Sequence, residues 1–255
     1  MQSRRMMECA AGTMRYYRDK LGRFLDEVNP DKANEHRIEK FLLQFNNAGH
    51  RLAYFRVIRT FYNWRERTFN LPSPMIHMKA PKVGKLMMPA LELDQVITLV
   101  EAVDNSRDKA IIDLFTESGL RLSELVNIQL DNIDWDSRTI RVIGKGNKEG
   151  FAPFGELSEG YLRQWIAEYN PKNGSIWGLN QGGVTSVLRS LEEATGITCN
   201  PHTFRRTFAC LLRKAGVDTM TIKDLGRWES LEMVQRYTRS VTFHDSLKLY
   251  KAPLS

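Results

Sequence analysis

Along the first part of the chain, apolar residues recur at intervals of three and four, the period of helices that bury one face. Over residues 13–28, TMRYYRDKLGRFLDEV, this groups Met14, Tyr17, Leu21, Phe24, Leu25 and Val28, with Thr13 in place to cap the first turn. The Asn29-Pro30 pair breaks the pattern, and further helices are predicted over 37–46 and 52–69. The last of these, LAYFRVIRTFYNWRERTF, lines Tyr54, Ile58, Phe61, Tyr62 and Arg65 along one flank; Arg51, Arg56, Arg59, Arg65 and Arg67 supply charge. Aromatics interleaved with arginines suit either a packed core under a cationic surface or a face that stacks on and clamps nucleic acid.

Residues 71–89 hold four prolines and no sustained period, so they are expected to form an extended linker carrying Lys79, Lys82 and Lys85. Helical periodicity resumes over 91–103 and 107–118 and stops at Gly119. A new helix starts near Ser123 and Glu124, which leaves Arg121 at a break where a turn can project one side chain into a cleft. Between 133 and 154 the period changes to two: RTIRVI, the turn GKGNKEG and a returning strand predict a hairpin with Lys145 and Lys148 on it. The turn lacks the Walker spacing and no helix follows, so it is not a nucleotide cradle. Helices are then predicted over 157–169, 182–195 (capped by Thr185 or preceded by a glycine pair), from Pro201 to a stop at Gly216, 219–225, 231–237 and 241–250. The fold class expected is mainly α with a small antiparallel β-sheet. Two domains are expected: helical residues 1–78, a basic proline-containing linker at 79–90, and an α+β domain at 91–255.

Charge sharpens this division. Residues 1–90 hold 17 Lys and Arg against 8 Asp and Glu, a balance of +9, whereas the remainder holds 20 against 22, a balance of −2. A basic small domain beside a near-neutral larger one points to a polyanionic partner, because each phosphate neutralised releases counterions; a solvated basic surface is the plainer alternative. Cys9, Cys199 and Cys210 lack metal-site spacing, and their odd number argues against a disulfide framework. No apolar run approaches the roughly 20 residues of a membrane span, and MQSRRMMECAAG lacks the apolar stretch of a signal peptide. A soluble, cytoplasmic chain without membrane association is expected.

The polar residues that fall at element boundaries are Arg121, Lys145, His202, Arg205, Trp228 and Tyr237. Brought together, two arginines can hold phosphate oxygens through paired donors while a phenol attacks phosphorus in their positive field. Lys145 would protonate the departing sugar oxygen, and His202 would take the phenol proton or hydrogen-bond the phosphate. No metal-ligand set accompanies them, so neither metal nor cofactor is expected.

The segments SGLRLSELVNIQLDNIDW, RVIGKGNKEG, PHTFRRTFACLLRKAG and LGRWESLEMVQRYTR, in this order, closely resemble the tyrosine recombinases, the family of phage integrases and of Xer and Cre recombinases. The resemblance implies a phosphate clamp at Arg121, a general acid at Lys145, the His-x-x-Arg pair at His202 and Arg205, and the nucleophile at Tyr237. It also implies a helical core-binding domain with an α+β catalytic domain, clamped around double-stranded DNA as a tetramer. The chain departs from the family pattern at Arg206, where many members carry histidine. It departs again at Arg227-Trp228, where many have Leu-Gly-His; the spacing to Tyr237 selects Trp228 as the nucleophile's partner. Arg227 is then a third cation near the site or a drifted surface residue. DNA contacts are expected from Arg51, Arg56, Arg59, Lys79, Lys82, Lys148, Arg206 and Arg227. The lack of an arm-binding domain before Thr13 favours a simple recombinase acting in integration, excision or dimer resolution. A catalytically inactive DNA-binding accessory protein and a type IB topoisomerase are the competing readings.

Overall fold

Helix α1 (Ala11–Glu27) opens the first of two units, and α2 (Glu35–Leu43) and α3 (Ala48–Phe69) complete its helices among the described residues. The structure, a computed structural model, describes residues 11–84, 90–144, 148–172 and 174–250. The units divide as Met1–Leu86 and Met87–Ser255. Side-chain caps decide where the helices start. Asn34 accepts the Arg37 amide, and Asn47 accepts those of Gly49 and His50, so α3 begins four residues earlier than its apolar pattern predicts. Asn70, in the left-handed region at φ 53°, ends it.

The first unit's core is aromatic: Phe41 meets Phe24 and Tyr54 edge-on at ring separations of 5.2 and 5.5 Å. Tyr54, Ile58 and Tyr62 are buried in this core, whereas Trp64 is 37% exposed. Met75 packs into the same core, which ties the chain after α3 back onto it. Lys79 and Lys82 are exposed.

In the second unit, α4 (Leu93–Glu101), α5 (Ser106–Ser118) and α6 (Leu122–Val126) precede a three-stranded antiparallel sheet of β1 (Ile133–Asp134), β2 (Thr139–Ile143) and β3 (Glu149–Pro153). The β2–β3 register pairs Thr139 with Pro153 and Ile143 with Glu149, so Ile140, Val142 and Ala152 face the core. There follow α7 (Glu156–Tyr169), α8 (Gln181–Thr195), α9 (Pro201–Lys214), α10 (Thr219–Leu225), α11 (Leu231–Tyr237) and α12 (Phe243–Leu247). Helix α5 is buried almost all round, packed by α4, α7 and α9, and it carries the middle of the core. Asn180, not Thr185, caps α8 by accepting the Gly183 amide; Thr185 lies inside the helix and donates to the Gln181 carbonyl. A smaller cluster of Phe208, Ile222, Trp228 and Val234 knits α9, α10 and α11 together. The tail is helical only over Phe243–Leu247, a shorter span than its pattern predicts. No helix among the described residues is long and apolar enough to cross a membrane.

Candidate active site

The site begins where α5 stops. Gly119, at φ 56°, takes the left-handed conformation that ends the helix, and an added Cβ there would lie 2.5 Å from the Phe208 ring. Two residues later, Arg121 is the N-cap residue of α6, as the break in periodicity predicts. Its amide donates to Glu124 Oε2 at 2.9 Å and its Nη1 to Glu124 Oε1 at 2.5 Å, while Nη2 reaches the Arg227 carbonyl at 3.3 Å. Its side chain remains 33% exposed. The sequence motifs do not mark Glu124 as a site residue, although an acid three positions after an arginine at a helix start is a signal that it caps and orients that arginine. Burial alone would raise its carboxyl, but the Arg121 amide, the Arg227 charge and the Arg121 guanidinium hold it below the ordinary carboxylate range.

Helix α9 supplies the next groups because Asn200 and Pro201 fix its start: Asn200 accepts the amides of His202 and Thr203. His202 sits in this first turn, exposed, and one helical turn on Arg205 is buried. The Arg205 guanidinium donates to the carbonyls of Gly119 and Gly226, joining the end of α5 to the end of α10. Burial, followed by the charges of Arg121 and Arg227, lowers its pKa to about 9, which keeps it cationic at neutral pH. Partial desolvation and the charges of Arg206, Arg205 and Arg121 lower the pKa of His202, so its ring is predominantly neutral at neutral pH. Arg206 is buried at 4% exposure, with Nη2 donating to Thr203 Oγ1 at 3.1 Å.

Trp228 is the centre of the smaller cluster. The Arg205 guanidinium lies 4.6 Å from its ring centroid, and the Tyr237 ring meets it edge-on at 5.6 Å. Gly226 makes room for it: a Cβ there would fall 1.9 Å from the indole. The indole N–H is buried and has no hydrogen-bond partner among the described residues, a costly state for a donor. Tyr237 ends α11, partly buried; the Cys210 thiol donates to its carbonyl at 3.2 Å, and its phenol lies within electrostatic reach of Arg205 and Arg206.

Arg121, His202, Arg205, Trp228 and Tyr237, separated by more than a hundred positions in sequence, therefore converge. Lys145 lies outside the described residues. Lys148, just after it, is exposed and shares a cleft of about 170 Å³ with Arg121, Glu124, Gly150 and Arg227. Arg227 is no drifted surface residue: its side chain is 12% exposed, and it is a third cation beside Arg121 and Arg205. In the first unit, Arg51 donates to the Asn46 carbonyl, Arg59 to that of Met78 at 2.5 Å, and Arg56 is exposed. Chemically, the second unit's cluster can hold a tetrahedral or trigonal oxyanion with paired cationic donors next to an oxygen nucleophile.

A family model described as the phage integrase family matches residues 89–243. The tyrosine recombinase XerC of Staphylococcus epidermidis is 32% identical over 199 residues, covering 71% of this chain and 67% of that protein. The XerC of Staphylococcus saprophyticus is 28% identical over 270 residues, covering 93% and 89%. Among solved structures, a lambda integrase dimer bound to a COC′ core site superposes with a TM-score of 0.77 at 14% identity, covering 97% of this chain and 94% of that one.

Proposed function

Because the chain belongs to the phage integrase family and is a tyrosine-type site-specific DNA recombinase, we propose that Tyr237 is its nucleophile and that Arg121, Lys145, His202, Arg205 and Trp228 complete its catalytic set. The observation that carries this reading is the contact series from Arg205 through Trp228 to Tyr237, with Arg121 joined to the same turn through the Arg227 carbonyl. Double-stranded DNA is the substrate. The Tyr237 Oη attacks phosphorus, forming the P–O bond of a 3′-phosphotyrosine as the bond to the 5′ oxygen breaks. Lys145 supplies a proton to that oxygen, and neutral His202 takes the phenol proton or holds a phosphate oxygen. Attack by a 5′-hydroxyl from the partner duplex reverses the step and rejoins the strands. The ester energy is kept in the phosphotyrosine, so the cycle is balanced without a high-energy co-substrate.

Arg121 and Arg205 stabilise the charge that develops on the phosphate, and the unpaired Trp228 indole N–H is a third donor of the right kind. In the first unit, Arg51, Arg56 and Arg59 bind backbone phosphate, and Lys79 and Lys82 extend the contact along the linker at 79–90; Lys148 and Arg206 do so in the catalytic domain, 91–255. The enzyme acts in the cytoplasm as a tetramer on two duplexes, in integration, excision or dimer resolution. Exposed apolar residues on the tail, Phe243 at 75% and Leu247 at 50%, support such self-association.

The test uses duplexes selected from random sequence by binding to the protein, rebuilt with a nick just 3′ of each candidate phosphate so that the short 5′-hydroxyl product diffuses away. Wild type should accumulate a protein–DNA adduct resistant to denaturant. An adduct that forms equally with Tyr237→Phe overturns the assignment.

A further inference from the structure

Arg227 holds the strained position of the site. Its φ of 55° lies in the left-handed region, which a residue with a Cβ enters at a cost of about 1–2 kcal/mol. The surroundings offset this by engaging both ends of the side chain's fork. Nη1 donates to the carbonyls of Leu225 at 2.8 Å and Phe151 at 3.2 Å; Nη2 donates to Glu124 Oε2 at 3.3 Å and lies 3.4 Å from the Ser118 carbonyl. The residue's own carbonyl receives Arg121 Nη2. Even its aliphatic stem is accommodated: Gly150 on β3 has no Cβ, and one there would meet Arg227 Cδ at 2.9 Å. One side chain thus joins the end of α5, the first turn of α6, strand β3 and the turn after α10.

We propose that Arg227 is a positioning residue for DNA cleavage: it fixes the Glu124 carboxylate and supplies a backbone acceptor so that the Arg121 guanidinium is aimed at the scissile phosphate. This rests on the reading of Arg121 as a phosphate clamp. The protein oxygens around its fork tie Arg227 into the frame of the site, and the DNA affinity of its variants separates this role from a phosphate contact of its own. Glu124 faces two guanidinium groups: Arg227 Nη2 and the Arg121 amide hold one carboxylate oxygen, and Arg121 Nη1 takes the other. Without the Arg227 side chain, Glu124 Oε2 would keep the Arg121 amide but lose the guanidinium that ties it to strand β3 and to the turn after α10. The arrangement also concentrates positive charge: Arg121, Arg205 and Arg227 surround this one acid, leaving an excess of two positive charges for the phosphate.

The experiment is a double-mutant cycle in single-turnover cleavage of the nicked, selected duplex, using the full chain as wild type, Arg121→Lys, Arg227→Gln and the double variant. DNA affinity and thermal midpoint are measured for each. Arg227→Gln should slow cleavage on the order of 10- to 100-fold, with affinity changed less than about threefold, and the double variant should be no slower than Arg121→Lys alone. Arg227→Lys, which keeps the charge but not the fork, should remain slow. If the Arg227 and Arg121 effects multiply, Arg227 acts independently of Arg121 and the proposal fails. It fails too if affinity falls in parallel with rate, or if Arg227→Lys restores cleavage. Should Arg121→Lys itself cleave at the wild-type rate, it is the clamp reading that has failed. A variant that unfolds is replaced by Glu124→Gln, which by the same logic must also be non-multiplicative with Arg121→Lys.

Discussion

Gly119→Ala should destabilise the second unit by more than its backbone strain alone. At φ 56° an alanine carries the left-handed penalty of about 1–2 kcal/mol. Its Cβ would also sit 2.5 Å from Phe208 Cδ1, far inside contact distance, and the ring cannot retreat freely because Phe208 is 3% exposed and packed beside Trp228. Overpacking of this kind adds about 1–3 kcal/mol, for a total of about 2–5 kcal/mol. Gly196 provides the control: at φ 71° it has the same backbone requirement, but nothing lies within 4 Å of an added Cβ, so Gly196→Ala should cost only about 1–2 kcal/mol. Urea unfolding followed by tryptophan fluorescence measures both, since four of the five tryptophans, all but Trp64, lie in the second unit. Cleavage should fall with Gly119→Ala even at temperatures where the variant is folded, because the Gly119 carbonyl accepts Arg205 and Phe208 supports Trp228. Equal costs for the two alanines would refute the steric part of the reasoning, and unchanged cleavage would refute its link to Arg205.

Burial, with Glu117 adding to it, pushes the Asp113 carboxyl from 3.8 up to about 7. The folded chain therefore holds a proton there that the unfolded chain releases, so this contribution to stability is present below about pH 4 and is lost as pH rises through about 7. Asp113→Asn should leave stability near wild type at pH 4 and raise it at pH 8, by at most ~4 kcal/mol, in urea titrations at the two pH values. Trp228→Phe keeps an aromatic ring against Arg205 and Tyr237 but removes the unpaired indole N–H. It should slow single-turnover cleavage by about tenfold or more while lowering the thermal midpoint by only a few degrees; equal rates would remove the indole from the phosphate site. Because the pKa of His202 is lowered, the His202-dependent break in the pH–rate profile of cleavage should lie below the ordinary 6.5, and His202→Gln should remove that break and slow cleavage above it, where the neutral ring acts.

Much of this site is legible in the chain before any coordinates, for local reasons. Gly119 after an apolar helix marks a stop, Pro201 marks a start, and the period of two around RTIRVI marks the hairpin, so Arg121 and His202 fall at element ends by punctuation alone. The caps at Asn34, Asn47 and Asn180 shift helix starts by a few residues, because Asn at a helix start competes with several nearby candidates in sequence. What is not legible depends on distant partners. Whether Glu124 faces solvent or sits buried between two guanidinium groups is decided by Arg227, which stands 103 residues away in the chain. The same holds for Arg227 itself: its sequence neighbours give no sign of a positive φ or of the four oxygens around its fork. Phe61, Tyr62 and Trp64 illustrate the reverse limit. A helical period groups aromatics, but only packing separates buried Tyr62 from Trp64 at the surface.

The identity of the covalent link decides whether Tyr237 is the nucleophile. The adduct trapped on nicked duplex is digested with protease and nuclease, and the nucleotide-bearing peptide is sequenced by mass spectrometry. A single modified residue is expected, Tyr237, esterified to a 3′-phosphate. A nucleotide on any other residue, or a link to a 5′-phosphate, would contradict it.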